Sequence, residues 1–123
     1  MAVSKVSQGE IVEVNYLLPS NEFKAHPALV LSSDNLQNNE DGMFYAALIS
    51  TKQLHPQYIM ELKDDWLTTQ MPKKSYVVTH IVTFFKINSV IKSYNTSIKK
   101  EEFFNKILFK IIDSMFELEI TEE

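Results

Sequence analysis

The chain has 123 residues, 45% apolar and 23% charged, which fits one globular domain over residues 1–123. It has no cysteine, which excludes disulfides and thiolate metal sites, and no apolar run of membrane-spanning length; no leader peptide is read in Met1–Lys5, so the expected compartment is the cytoplasm. The formal net charge of −4 argues against a general polyanion-binding surface, so any positive charge facing nucleic acid has to be local, from Lys24, His26, Lys52, Lys73, Lys74, His80 and Lys86.

Along the chain, residues 1–8 read as loosely ordered, although Val3 and Val6 have the character to pack. Ile11, Val12, Val14 and Tyr16 predict a first strand with Glu13 and Asn15 toward solvent. Leu18 to Ala25 reads as a loop, with turn chemistry at Pro19-Ser20-Asn21, and Pro27 restricts His26 to an extended backbone. Ala28-Leu29-Val30-Leu31 is a continuous apolar run and predicts a strand buried on both faces. Ser32 to Gly42 is polar and reads as a loop. Met43–Ile49 predicts a third strand ending at Ser50-Thr51-Lys52, and Tyr58–Leu62 a fourth. Asp64–Thr68 reads as a turn or a short helical piece. Ser75–Phe85, rich in β-branched and aromatic residues, predicts a long strand bent near His80, and Ile87–Tyr94 a further short one.

Phe104, Ile107, Leu108, Ile111, Ile112 and Met115 recur at helical spacing, so a helix is expected from about Lys99 to Phe116. Glu101 and Glu102 sit in its first turn, the end that favours negative charge. Residues 118–123 read as a frayed acidic tail. Five to seven short strands followed by one long amphipathic helix is an α+β pattern dominated by β, and a small barrel with a helix across it satisfies every element.

The Gly9-Glu10-Ile11-Val12 start, the Pro27-Ala28-Leu29-Val30-Leu31-Ser32-Ser33-Asp34 block and the Ile49-Ser50-Thr51-Lys52 strand end, in that order and spacing, resemble the PemK/MazF family of toxins. The resemblance implies an SH3-like barrel, a homodimer, metal-free and cofactor-free cleavage of single-stranded RNA, and neutralisation by a small antitoxin protein. It places the family's catalytic arginine at His26 and its catalytic threonine at Ser50, with Thr51 one step along. An acidic residue of the first loop corresponds to Glu22, a late-strand glutamine to His80, and an arginine found two residues later to Val82. By the same resemblance Glu22 and Thr51 are substrate-binding candidates, and Lys24 and Lys52 join them as nearby fixed charge for phosphate.

Metal-free RNA cleavage has its own requirements. A base takes the 2′-OH proton, an acid protonates the leaving 5′-oxygen, and donors hold the charged phosphorane. His26 and His80 can serve as an acid–base pair, Ser50 as a donor, and Lys24 or Lys52 as fixed charge. Plainer readings stand beside these. His26 also fits as a loop residue at a strand entrance, His80 as a half-buried strand histidine, and Ser50 as a strand-end backbone partner. His55, before Pro56 in a turn, reads as solvated. The three histidines lack a helical metal-ligand spacing, so no metal site is read. Phe23 and Trp66 are the aromatics that could stack on an unpaired base. Three functions follow: an endoribonuclease toxin, a binding module in the manner of the CcdB-like relatives that target a topoisomerase, and a folded but catalytically weak member of the family.

Overall fold

Two antiparallel strands, β1 (Glu10–Leu17) and β2 (Phe23–Val30), start the fold, their turn closed by hydrogen bonds from Leu18 N–H to the Glu22 carbonyl and from Asn21 N–H to the Leu18 carbonyl. Asn21 takes a positive φ of 69°, which asparagine tolerates better than most residues. The computed structural model describes residues 5–53 and 55–120. Within that range the expected loop of residues 18–25 shrinks, because Phe23, Lys24 and Ala25 pair with Leu17, Tyr16 and Asn15. Lys24 and His26 therefore stand on a strand.

The remaining elements are α1 (Asp34–Asn39), β3 (Phe44–Ser50), β4 (Ile59–Leu62), β5 (Ser75–Phe85), β6 (Val90–Ser97) and α2 (Glu101–Phe116), with 3₁₀ turns at Pro56–Tyr58, Asp64–Trp66 and Ile87–Ser89. The short helix α1 replaces the expected polar loop. Ser33 caps it by accepting from Leu36 N–H at 3.1 Å, and the chain leaves through Asp41 and Gly42, both at positive φ.

The strands form one six-stranded antiparallel sheet in the order β4-β5-β3-β2-β1-β6. Its ladders do not close into the expected barrel. The two ends of the sheet approach one another through an isolated bridge, Leu67 to Ile98, with Thr68 N–H donating to the Ser97 carbonyl and Lys99 N–H to the Trp66 carbonyl. In β5 the pairing with β3 shifts from Ala47–Val82 to Ile49–Val77, so residues 78–81 bulge out of the ladder. The expected bend at His80 is this bulge.

Both faces of the sheet are covered. One carries Val12, Val14, Ala28, Val30, Phe44, Leu48 and Phe85, with Val6 packed into it at 1% exposure. Val6 is thus ordered, while Leu118 and Ile120 of the tail are exposed; residues 1–4 and 121–123 lie outside the described range. The other face carries Ile11, Leu29, Ile49, Leu62, Trp66 and Val77 under Ile107 and Ile111 of α2. Each large aliphatic buried this way contributes about 1.5–3 kcal/mol. Thr79 and Ser114 share a hydrogen bond of 2.7 Å that ties the helix to the β5 bulge. The apolar face of α2 is narrower than its spacing predicts: Phe104, Ile107 and Ile111 are buried, whereas Ile112 and Met115 face outward.

Candidate active site

The site follows from one proline. The β2–β3 ladder runs from Val30–Ala46 to Ala28–Leu48 and stops there. Pro27 has no N–H with which to extend it. Continuing the register by two residues sets His26 across from Ser50, and Ser50 pairs in turn with Tyr76 of β5. Two chemically active side chains thus face each other on neighbouring strands where the sheet is no longer laced.

Two cavities open at this gap and share His26, Ser50 and Lys52 as a common wall. The larger, about 470 Å³, adds Lys24, Thr51, Met71, Lys73 and Tyr94. The smaller, about 260 Å³, adds His55, Ile59, Val78, His80 and Ile81. Among the described residues no carboxylate lines either cavity. In a chain of net charge −4 this is a local excess of positive and neutral donors. The chain contains no arginine, so every fixed cation at the site is a lysine.

His26 is oriented by its own neighbour. Its Nδ1 lies 2.9 Å from the Pro27 carbonyl, which can only accept, so Nδ1 carries the hydrogen and Nε2 presents a lone pair. Tyr16 packs edge-on against the ring at 6.1 Å. The Ser50 Oγ accepts from Lys52 N–H at 3.0 Å, which leaves its own proton free to donate outward. Gln53 donates to the buried Tyr76 hydroxyl and so ties the loop after Ser50 to β5.

His80 is held differently. Its ring packs on Tyr58 at 4.7 Å and meets His55 perpendicularly at 6.0 Å. Its Nδ1 is buried with no hydrogen-bond partner among the described residues. A hydrogen placed there would be a buried unpaired donor, costing about 1–3 kcal/mol, so the arrangement favours a hydrogen on Nε2. Tyr94, on the far wall of the larger cavity, donates to Glu13 Oε2 at 2.9 Å. Burial first, and the Glu13 carboxylate second, push its phenol up to about 12, so it stays protonated at neutral pH. Among the described residues no three His, Cys, Asp or Glu side chains stand close enough to share a metal ion, and no helix is long and apolar enough to cross a membrane.

A sequence profile of the PemK-like, MazF-like toxins of type II toxin-antitoxin systems matches residues 7–113. The chain belongs to this family. No curated protein matches it by sequence. Solved structures with the same fold include MazF (Form-I) from Deinococcus radiodurans, with a TM-score of 0.69 at 14% identity over 89% of this chain and 94% of that one. An endoribonuclease in complex with its cognate antitoxin from a mycobacterial species gives 0.66 at 14% identity over 89% and 93%. The Mycobacterium tuberculosis toxin MazF-mt6 gives 0.63 at 14% identity over 90% and 99%.

In this PemK/MazF-like chain most residues singled out from sequence gather at the gap. His26, Ser50 and Lys52 lie at the junction, Lys24 and Thr51 in the larger cavity, and His80 in the smaller. Glu22 does not join them: it is exposed in the β1–β2 turn and lines neither cavity. Trp66 is buried and stacked on Phe103 at 5.2 Å, which removes it as a base platform, whereas Phe23 is 64% exposed beside Lys24. His55 was expected only as a solvated turn residue, and Tyr94 was not singled out for function. His55 looks like a turn residue until the β5 bulge is placed beside it, and Tyr94 needs β6 to pair with β1 across most of the chain.

Proposed function

We propose that this toxin-family chain is an endoribonuclease that cuts single-stranded RNA by attack of the ribose 2′-OH, with the scissile phosphate at the His26–Ser50–Lys52 junction and one flanking nucleotide in each cavity. One observation carries the reading: a carboxylate-free junction of His, Ser and Lys between two cavities, in an acidic chain. His26 Nε2 takes the 2′-OH proton. The imidazolium that forms keeps its Nδ1–H on the Pro27 carbonyl, so the charged ring leaves no orphan donor on that side. The O2′–P bond forms and the P–O5′ bond breaks, giving a 2′,3′-cyclic phosphate and a 5′-hydroxyl. Ser50 Oγ donates to a phosphoryl oxygen, and Lys52 with Lys24 supplies charge that does not depend on ring protonation. The leaving oxygen is protonated from the opposite wall of the smaller cavity, which His80 and His55 form.

The partners in this reading are a cytoplasmic RNA, a second copy of the chain and a small antitoxin; the mycobacterial endoribonuclease and the Deinococcus radiodurans MazF have both been solved with their antitoxins. Expression in a host tests it. Induction is expected to arrest growth and to create new RNA 5′-hydroxyl ends, and His26→Ala to reduce those ends by about 10²–10⁴-fold. Unchanged ends with His26→Ala would sink the mechanism.

The absence of arginine favours a second reading, a catalytically weak or non-enzymatic module that binds RNA, antitoxin or a topoisomerase-type protein. Growth arrest without new ends would select it.

A further inference from the structure

We propose that His55 is the general acid of this cleavage and that His80 is the positioning residue behind it. The inference rests on the RNA-cleavage reading and divides the labour within the same site. Three histidines border the smaller cavity: His26, His55 and His80. His26 has its Nδ1 anchored and its Nε2 free, the condition of a base. The two remaining rings differ in what surrounds them.

A general acid starts as an imidazolium with hydrogens on both nitrogens, so both need water, substrate or an acceptor. His80 fails this condition at Nδ1, which is sealed and unpartnered. Its ring is wedged by Tyr58 on one side and His55 at 90° on the other. His55 meets the condition. It is exposed, it precedes the Pro56–Tyr58 turn without making a side-chain cap, and its ring stands perpendicular to that of His80 at 6.0 Å. The titratable groups around it are His80, Tyr58, His26 and Lys52; among the described residues no carboxylate lines the cavity to neutralise a charged ring by proton transfer.

The step balances. The 2′-OH proton goes to His26 Nε2 as the O2′–P bond forms. The P–O5′ bond breaks with its electron pair on O5′, which takes a proton from His55. The two rings end with their protonation states exchanged, and solvent resets them.

The test uses a leaving group. Once the wild-type protein has been used to map a cleaved bond, two short RNAs are made around it, one natural and one with sulfur in place of the bridging 5′-oxygen. Sulfur leaves as a thiolate and needs no proton. His55→Ala is expected to slow cleavage of the oxygen ester by about 100-fold or more and of the sulfur ester by less than about threefold. His80→Ala is expected to slow both alike. Thermal unfolding of His55→Ala should match wild type, because the ring is exposed. Equal losses on both RNAs for His55→Ala, no loss on the oxygen ester, or sulfur rescue of His80→Ala in its place would overturn the assignment. If wild type yields no cleaved bond to map, the RNA-cleavage reading itself fails and takes this assignment with it.

Discussion

The β2–β3 pair has two ends that share one register and have opposite fates. At one end Ala28, Leu29 and Val30 pair with Leu48, Ala47 and Ala46, and five of the six are completely buried. At the other, two residues on, His26 and Ser50 face each other across an unlaced gap bordered by cavities. Side-chain polarity alone does not separate them, since polar strand residues pair routinely. Pro27 stands between the two ends and cannot donate the next ladder bond. A reactive gap in a sheet is thus produced by removing one backbone donor, while the buried end holds the strands at fixed spacing.

This contrast can be broken from either side. The largest effect is expected at the buried end. Leu29→Ala removes a fully buried side chain under α2 and should destabilise the fold by about 2–5 kcal/mol, read as a lower urea midpoint, with cleavage lost only to the extent that the chain unfolds. Pro27→Ala attacks the boundary itself. It restores an N–H that can extend the ladder toward Ser50, a bond worth about 0.5–1.5 kcal/mol, and should lower cleavage by about tenfold while leaving thermal stability equal or higher. Faster cleavage with no gain in amide protection at residue 27 would contradict the role given to the proline.

The smallest effect concerns the far wall. Tyr94 is raised from 10.0 to about 12 in the fold, so the native state holds its proton more tightly than the unfolded chain does. That contribution is complete below about pH 10 and is lost as pH rises toward 12. Tyr94→Phe should therefore be less stable than wild type at pH 8, and the difference should shrink between pH 10 and 12, measured by urea unfolding at each pH. A constant gap would mean that burial and the Glu13 carboxylate do not raise the Tyr94 phenol in the fold.

Much of this was legible beforehand. The apolar runs of β1, β3 and β5 and the helical spacing of Phe104, Ile107 and Ile111 place both cores without coordinates, because periodicity follows from burial. Boundaries were harder. The second strand was expected only from Ala28, after a loop to Ala25, but Pro27 limits pairing on one side only, and β1 continues to pair with Phe23–Ala25 on the other. The α1 helix escaped because five of its six residues are polar and Leu36 alone makes no apolar stripe, and Ser33 alone marks its start. Ile112 and Met115 were expected inside, yet the sheet offers a seat only to the 104–107–111 line. At the site, His26, Ser50 and His80 came from the family resemblance, which matches them position by position. His55 did not, since its neighbourhood is made by a bulge 25 residues away in β5, at His80.

Consider finally how late the larger cavity is completed during synthesis. Its Tyr94 wall is held by a hydrogen bond to Glu13, 81 residues earlier in the chain. β1 can zip to β2 as soon as both leave the ribosome, but its other edge must wait for β6, and such distant pairings form slowly. A nascent chain therefore carries His26 and Ser50 long before it has a finished groove around them. The order of pairing delays assembly of the site until β6 has emerged.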